Sequence, residues 1–454
     1  MMLIALVAVI GLTITVTAGR AIIGLFDRDK PSKDAAVAEE NTDKNPEKSP
    51  EENPNQDLLD EAEQLAAGYD YAGAIDLLES VKEPDEAVTE AIAAYTEAEE
   101  SLVVWPADQP VPHVFFHTLI ADPARAFDGD YKEAGYNQYM TTIDEFNRML
   151  EDLYERGYVL VSPYDIAYEV TEDDESHFVA GEIRLPEGKK PLLMSQDDVN
   201  YYGYMIGNGN GKNEIPVFTT EENDGFASKI VIGEDGYPTC LYVDADGNEQ
   251  TGAYDLVPLL ENFIQEHPDF SYRGARAMLG VTGYEGVLGY RTKPSYREAM
   301  GDEAYEKEVA DAKAVAKCLK EHGWLLVSHS YGHPAYGNIS TSHLKKDSQK
   351  WEDTVQPIIG KTDIILYPYG SDIAGIEAYT NSNAKFKALY NDGYRYFFGV
   401  DGAHDWQQMG DTYFRGGRRN LDGYRMYYYP DSLTDFIDVD RVFDEARTTP
   451  VPPI

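Results

Sequence analysis

Predicted strands and helices alternate along the chain from about residue 110 to the C-terminus. Short apolar runs, typical of buried strands, are separated by segments with apolar residues at helical spacing, the longest over residues 298–322. A β-hairpin insertion at about residues 203–256 interrupts the alternation, and the last predicted strand covers Tyr424 to Tyr429. Repeated strand–helix units predict an α/β fold with a parallel sheet, either open or closed into a barrel. In both architectures the functional side chains lie at the carboxyl ends of the strands.

Two adjacent acids follow one of these strands. The apolar run from Leu192 to Met194 predicts a short buried strand, and the strand ends at Asp197 and Asp198. Paired acids at the end of a buried strand are costly unless a metal ion or a shared proton compensates their charge. Taken alone, the same stretch also fits an Asp-rich turn without a chemical role.

Two further predicted strands end in polar motifs. One is followed by residues 329–334, His-Ser-Tyr-Gly-His-Pro, and the other by residues 366–370, Leu-Tyr-Pro-Tyr-Gly. Two His and one Asp are a common donor set for a catalytic divalent metal with open positions. Each motif alone also fits a structural loop or turn. Three polar strand ends in this order favour a single site.

These motifs resemble those of the polysaccharide deacetylases of the NodB-homology type, carbohydrate esterase family 4. Residues 195–199, Ser-Gln-Asp-Asp-Val, match the two acids of the first family motif, Thr-Phe-Asp-Asp-Gly. Residues 329–334 match the second motif, His-Ser/Thr-x-x-His-Pro, in full, and residues 366–370 match the third, Arg-x-Pro-Tyr/Phe-Gly, except at its Arg. The lead-in, with its Phe116-His117 strand end, is similar to the branch that acts on extracellular poly-N-acetylglucosamine. The resemblance covers roughly residues 110–447 and implies a distorted (β/α) barrel of the NodB type.

The resemblance also implies a reaction and roles for individual residues. It implies metal-dependent N-deacetylation of N-acetylglucosamine units in cell-wall or surface polysaccharide, of the peptidoglycan or poly-N-acetylglucosamine type, with release of acetate. The implied cofactor is a divalent metal, zinc in the first place, with Asp198, His329 and His333 as ligands. Asp197 is the implied general base, and the backbone N–H of Tyr369 is the implied oxyanion donor. The residues implied to bind the sugar are Tyr367, Pro368, Trp406 and Arg419.

The chain departs from the family pattern at the residue that tunes the base. Leu366 stands where the family has an Arg, and Val199 replaces a Gly. Arg418 or Arg419 could take the place of the missing Arg.

The general acid of the family also lacks a clear counterpart. The candidate is His404, which lies in the segment Gly-Ala-His-Asp-Trp at residues 402–406 and could instead be a groove residue. His113 and His117 are expected to be structural or to support the metal ligands.

The composition limits the possible partners. The net charge of −43 excludes nucleic acid, because phosphate contacts need Lys and Arg. A chain this acidic suits a neutral or cationic partner. The only cysteines are Cys240 and Cys318, too few for a disulfide framework or a cysteine-based zinc site.

Three different patterns precede the deacetylase-like region. Residues 1–28 contain a continuous apolar stretch and are predicted to be a transmembrane anchor or a signal peptide. Residues 29–56 have hardly any apolar side chains and predict a disordered acidic linker. Residues 57–105 predict a helical hairpin that resembles a tetratricopeptide repeat. This layout predicts a single-pass protein of the cell membrane with its catalytic domain outside, although the positive-inside rule favours the opposite orientation.

Two alternatives to the deacetylase stay open. One is a catalytically weak or inactive protein that binds cell-wall polysaccharide on the same fold, which the missing Arg and the missing late His favour. The other is a metal-dependent amidase of small molecules on the same scaffold. A polymer-binding groove would favour longer oligomers, so the dependence on substrate length separates the amidase from the deacetylase.

Overall fold

The structure, a computed structural model, describes residues 53–172, 175–207 and 223–454. The predicted anchor at residues 1–28 and most of the predicted linker at residues 29–56 lie outside this part of the chain. The α-helices are α1 (Gln56–Ala67), α2 (Tyr71–Glu79), α3 (Glu86–Ser101), α4 (Pro123–Ala126), α5 (Glu133–Tyr139), α6 (Ile143–Glu155), α7 (Pro163–Ile166), α8 (Gly203–Ile206), α9 (Leu256–Glu266), α10 (Arg297–Met300), α11 (Asp302–Glu321), α12 (Thr341–Thr354), α13 (Gln356–Ile359), α14 (Ala384–Asn391), α15 (Gly423–Tyr428) and α16 (Val439–Val442). Short 3-10 helices cover Pro268–Phe270, Tyr272–Gly274, Pro294–Tyr296, Pro368–Gly370 and Pro430–Leu433. The strands are β1 (Val103–Val104), β2 (His113–Phe116), β3 (Tyr158–Leu160), β4 (Ala167–Glu172), β5 (Glu175–Ala180), β6 (Arg184–Leu185), β7 (Lys190–Gln196), β8 (Lys229–Ile232), β9 (Pro238–Val243), β10 (Glu249–Gly252), β11 (Met278–Val281), β12 (Leu325–Ser328), β13 (Ile364–Leu366), β14 (Tyr396–Val400), β15 (Gln407–Gly410) and β16 (Tyr413–Asn420).

Seven parallel strands form a closed barrel. Their order is β11, β12, β13, β14, β16, β2 and β7, and the barrel closes where β7 pairs with β11, with Ser195 opposite Met278. Strand β3 pairs in parallel with the start of β7, and β15 pairs antiparallel with β16. The predicted α/β barrel of parallel strands is therefore confirmed. Closure brings the carboxyl ends of all seven strands to one end of the barrel.

The side chains of β7 alternate between two apolar clusters. Leu192 and Met194 belong to the cluster that includes residues of the surrounding helices, whereas Leu193 packs in a second cluster with Val327 of β12. Alternate residues of a strand point to opposite faces of a sheet. The odd-numbered positions of β7 therefore face the barrel interior, and Asp197 continues that series directly after the strand.

The insertion between β7 and β11 contains a separate small sheet. Strand β9 lies in the middle and pairs antiparallel with both β8 and β10. Ile230 and Cys240 face each other across the first pair, and both are buried in the main apolar cluster. The sheet is therefore packed onto the barrel domain.

The prediction of a strand over Tyr424 to Tyr429 is wrong, because this segment forms helix α15. Asp422 is the N-cap of the helix, and its carboxylate accepts a hydrogen bond from the N–H of Arg425 at 2.8 Å. Aromatic residues favour strands on average, but a cap that satisfies a free N–H group stabilises the helical alternative.

The turn between the N-terminal helices α1 and α2 contacts the barrel domain. The hydroxyl of Tyr69, between α1 and α2, donates to the carbonyl of Asp269 at 2.9 Å. The N–H of Arg273 donates to the carbonyl of Gly68 at 2.8 Å. The range predicted as a hairpin thus contains three helices, and its likeness to a tetratricopeptide repeat stays a prediction.

The predicted localisation as a single-pass membrane protein is corrected by the structure. Within the described ranges, no helix combines the length and the apolar character that crossing a membrane requires. The segment predicted as the anchor, residues 1–28, is itself outside those ranges.

Candidate active site

Two strand ends bring two acids and two histidines together. The acids follow β7 and the histidines follow β12. The Nε2 atoms of His329 and His333 are 3.1 Å apart, and Nε2 of His333 is 3.6 Å from Oδ2 of Asp198. One ligand atom from each of these three residues lies within 4.8 Å of the others. Asp197 lies beside them, with Oδ2 at 3.9 Å from Nε2 of His329.

The protonation of the two imidazoles suits a cation. Nδ1 of His329 lies 2.8 Å from the carbonyl oxygen of Leu366, which can only accept, so Nδ1 carries the proton and Nε2 has its lone pair toward the cluster. Burial lowers the pKa of His333 to about 4, although the nearby Asp198 raises it, so the ring of His333 is neutral near pH 7. At 3.1 Å the two Nε2 atoms can share one proton, or both can present a lone pair to one cation.

Two of the three spacings between donor atoms fit a tetrahedral metal site. Zinc–ligand bonds of about 2.0–2.1 Å place neighbouring donors roughly 3.3 Å apart. The two distances that end on His333, 3.1 Å to His329 and 3.6 Å to Asp198, bracket that value. Two imidazoles and one carboxylate are also the donor types expected for such a metal.

The loops that present these groups hold non-glycine residues in left-handed conformations. The φ angles of Asp198, Ser330, His333 and Tyr369 lie between 56° and 64°. Such conformations cost on the order of 1–3 kcal/mol each and cluster at functional sites. Helix α12 helps to hold the histidine loop, because the carboxylate of Asp347 accepts hydrogen bonds from two successive N–H groups of that loop, both at 2.9 Å.

Arg418, on β16, binds Asp197 through two hydrogen bonds. Its guanidinium donates to Oδ1 at 2.6 Å and to Oδ2 at 2.9 Å, and the two residues are 0% and 3% exposed. Burial alone would raise the pKa of Asp197, but the charge of Arg418, with a smaller contribution from His329, holds it well below its ordinary value. Of the two arginines considered from the sequence, Arg418 is therefore the one that contacts Asp197.

Arg419 points elsewhere and is held by two other acids. It forms ion pairs with Asp405 at 3.1 Å and with Asp435 at 2.6 Å. Neighbouring residues of a strand face opposite sides of a sheet, so only one of two adjacent arginines can reach the barrel interior.

A cavity of about 450 Å³ opens over the cluster. The ring of Tyr369, which is 74% exposed, lies 4.5 Å from the ring of His333 and forms part of its wall. The lining residues are Phe115, His117, Tyr139, Met140, Asp197, Asp198, Tyr204, His329, His333, Tyr369, Gly370, Val400, Asn420 and Asp422.

The remaining residues predicted for the site lie away from this cavity. Tyr367 is fully buried, with its hydroxyl 3.0 Å from that of Tyr379, and Pro368 is buried beside it. The ring of Trp406 lies against the guanidinium of Arg415, 5.2 Å from it. His404 is 80% exposed and lies 3.6 Å from Asp401. The structure thus brings neither these four residues nor Arg419 to the described lining of the cavity.

The sequence did not indicate that His117 belongs to the site. It follows β2 and lines the cavity, and its Nδ1 lies 3.1 Å from the carbonyl oxygen of Tyr139. Because a carbonyl only accepts, Nδ1 is the donor, and Nε2 is left to act in the cavity. The one signal in the sequence was that His117 also stands at a strand end.

Comparisons with known proteins give one distant likeness. No family model matches the chain, and no curated protein matches it. Among solved structures, the chain is similar to "Streptococcus pyogenes deacetylase PplD in complex with acetate", at 13% sequence identity. The likeness covers 73% of this chain and 99% of that chain, with a TM-score of 0.37. A likeness at that TM-score carries no argument about activity, so function has to be inferred from the geometry of the cluster.

Proposed function

We propose that the protein is a metal-dependent N-deacetylase that hydrolyses the acetamido group of N-acetylglucosamine units in a polysaccharide. The main support for the proposal is that Asp198, His329 and His333 lie close together beside Asp197 in one open cavity. Three protein donors leave positions free for catalysis, in contrast to the closed ligand sets of structural metal sites.

The proposed cofactor is zinc, held by Asp198, His329 and His333. When bound, it would polarise the acetyl carbonyl and lower the pKa of the attacking water. Asp197, as general base, would accept the proton of that water at Oδ2, the oxygen nearest to His329. The N–H of Tyr369 would donate to the oxyanion that develops on the acetyl group.

We assign proton donation to His117 rather than to His404. Hydrolysis of an amide requires a proton on the leaving nitrogen, and the donor has to reach that atom in the cavity. His117 lines the cavity, with Nε2 free of the Tyr139 contact, whereas His404 is outside it. Donation from Nε2 of His117, with both ring nitrogens protonated beforehand, would give the leaving nitrogen its proton and leave a neutral imidazole. The products would be the amine of a glucosamine unit and acetate.

The walls of the cavity support a sugar substrate. Tyr139, Tyr204 and Tyr369 present exposed rings, at 40%, 43% and 74%. Aromatic faces pack well against flat, partly apolar groups such as pyranose rings, while the tyrosine hydroxyls remain available to polar atoms. A polymer of the poly-N-acetylglucosamine type is uncharged and so also avoids repulsion from a chain of net charge −43.

The test is release of acetate from acetylated chito-oligomers in the presence of zinc. We expect turnover by the wild type and a loss of at least 100-fold in Asp197→Asn, which cannot take the proton. Asp353→Asn is the matched control, because it makes the same change at an exposed acid of α12. Metal binding by Asp197→Asn shows that the variant has folded. Equal acetate release by the wild type and Asp197→Asn would refute the proposal.

A second function, binding of polysaccharide without turnover, is favoured by one observation. Arg418 holds the pKa of Asp197 well below its ordinary value, and a weaker base accepts a proton less readily. A wild-type protein that binds zinc and chito-oligomers but releases no acetate would establish this alternative.

A further inference from the structure

Tyr202 connects a metal ligand to the body of the protein. Its hydroxyl oxygen lies 2.6 Å from Oδ1 of Asp198 and 2.7 Å from the hydroxyl oxygen of Thr282. An ionised carboxylate can only accept, so Tyr202 donates to Asp198. The single proton of Tyr202 is then used, and Thr282 has to donate to Tyr202. The hydrogen bonds therefore run in one direction, from Thr282 through Tyr202 to Asp198.

The ring of Tyr202 is held in place by two stacked rings. It stacks on Tyr284 with centroids 4.8 Å apart and an angle of 10° between the planes, and on Tyr204 at 5.8 Å and 17°. Tyr202 is 2% exposed, so its hydroxyl cannot swing into solvent. The contact with Asp198 is therefore a fixed part of the site.

This contact divides the two oxygens of Asp198 between different tasks. Oδ1 is engaged by Tyr202, while Oδ2 faces Nε2 of His333 at 3.6 Å. A carboxylate oxygen that accepts a strong hydrogen bond gives less electron density to a cation. Asp198 itself has a φ of 60°, a conformation with few alternatives for placing its side chain.

We propose that Tyr202 is a positioning residue that restricts Asp198 to one ligand oxygen and thereby sets the affinity and coordination of the metal. This inference rests on the proposed metal site. Tyr202 is buried behind the ligand and is absent from the described lining of the cavity, so it acts through Asp198 and not on the substrate. Groups that orient metal ligands in this way typically contribute 10- to 100-fold to metal affinity.

The experiment measures metal binding without substrate. Zinc and Co²⁺ are titrated into metal-free wild type, Tyr202→Phe and Thr282→Val, and the visible absorption of bound Co²⁺ reports its coordination. We expect about a 10- to 100-fold weaker zinc Kd for Tyr202→Phe, a weaker Co²⁺ absorption as Asp198 turns both oxygens to the metal, and a smaller loss for Thr282→Val. Tyr290→Phe is the matched control, since it removes a buried hydroxyl that donates to the carbonyl of Ile230 at 3.0 Å, and its Kd should equal that of the wild type.

Each outcome decides the inference. A wild-type Kd and wild-type Co²⁺ spectrum in Tyr202→Phe would overturn it. If Tyr202→Phe does not fold, an unchanged Kd and spectrum in Thr282→Val would overturn it, and absence of metal binding by the wild type would do the same. A wild type that binds zinc but releases no acetate refutes the proposed activity and leaves the role of Tyr202 standing.

Discussion

At the scale of single residues, the pair Arg418–Asp197 should be sensitive to the loss of one partner. Removing the guanidinium leaves a buried carboxylate without its partner, which costs roughly 3–5 kcal/mol. We therefore expect Arg418→Met to lower the free energy of unfolding by about that amount at pH 7. Urea denaturation gives the free energy. Arg297→Met is the control, because its ion pair with Asp302 is exposed and contributes about 1 kcal/mol or less.

The same pair predicts how stability depends on pH. The folded-state pKa of Asp197 is lowered, so its favourable contribution is complete above about pH 4, the ordinary value, and is lost as the pH falls through the folded-state pKa. In Arg418→Met, burial without the guanidinium raises the pKa of Asp197, and the acid takes up a proton as the pH falls. The difference in unfolding free energy between wild type and variant should therefore shrink from pH 7 toward pH 4. A constant difference over that range would show that Arg418 does not set the charge of Asp197.

His117 and His404 make opposite predictions about the proton donor. If His117 donates the proton, His117→Gln should lower kcat by about 10²- to 10⁴-fold and leave the zinc Kd close to the wild-type value. His404→Gln should keep kcat near the wild-type value, since His404 is 80% exposed outside the cavity. Steady-state acetate release with both variants checks this. A large fall in kcat for His404→Gln, with little change for His117→Gln, would instead identify His404 as the proton donor, as the sequence suggested.

At the scale of strands and loops, the motifs could be located from the sequence but their contacts could not. Each motif is local, so the pattern of an apolar run followed by a polar group was enough to place Asp198, His329 and His333 at strand ends. The contact of Arg418 with Asp197 joins residues 221 apart in the chain. It depends on β16 lying between β14 and β2, and on the register that points Arg418 inward and Arg419 outward. Neither the strand order nor the register is encoded in a local pattern.

The start of helix α6 offers a prediction at the same scale. The hydroxyl of Thr142 accepts a hydrogen bond from the N–H of Glu145, while the carboxylate of Glu145 accepts one from the N–H of Thr142. The hydroxyl also donates to Asp444 at 2.7 Å, and this contact connects the helix to the C-terminal segment. Thr142→Ala should lower the free energy of unfolding by about 0.5–2 kcal/mol in urea denaturation. Thr142→Ser keeps the hydroxyl, so its free energy of unfolding should fall clearly less than that of Thr142→Ala. An equal fall in both variants would assign the effect to the methyl group.

At the scale of the whole molecule, periodicity predicted a parallel sheet but not its closure. Closure depends on the pairing of Ser195 with Met278, which no strand pattern specifies. The strand order also explains why the sequence did not predict His117 as a site residue. His117 and Asp197 line the same cavity only because β2 and β7 lie side by side. The prediction of a single-pass membrane protein was wrong for a different reason. It combined the apolar composition of residues 1–28 with the assumption that the substrate lies outside the cell.

The net charge of −43 predicts a dependence of stability on salt. Like charges repel more strongly in the compact state than in the unfolded chain, so screening them should stabilise the fold. The screening length falls from about 30 Å at 0.01 M salt to about 8 Å at 0.15 M, which is shorter than the distance between most surface acids on opposite sides of the protein. We therefore expect the Tm to rise by roughly 1 °C over that range, which for a chain of this length is equivalent to about 1 kcal/mol. Calorimetry at constant pH and zinc concentration measures it, with KCl and NaCl compared at equal ionic strength. Equal effects of the two salts support screening, whereas a rise with only one would indicate binding of a specific cation, and a constant Tm would show that local ion pairs already offset the repulsion.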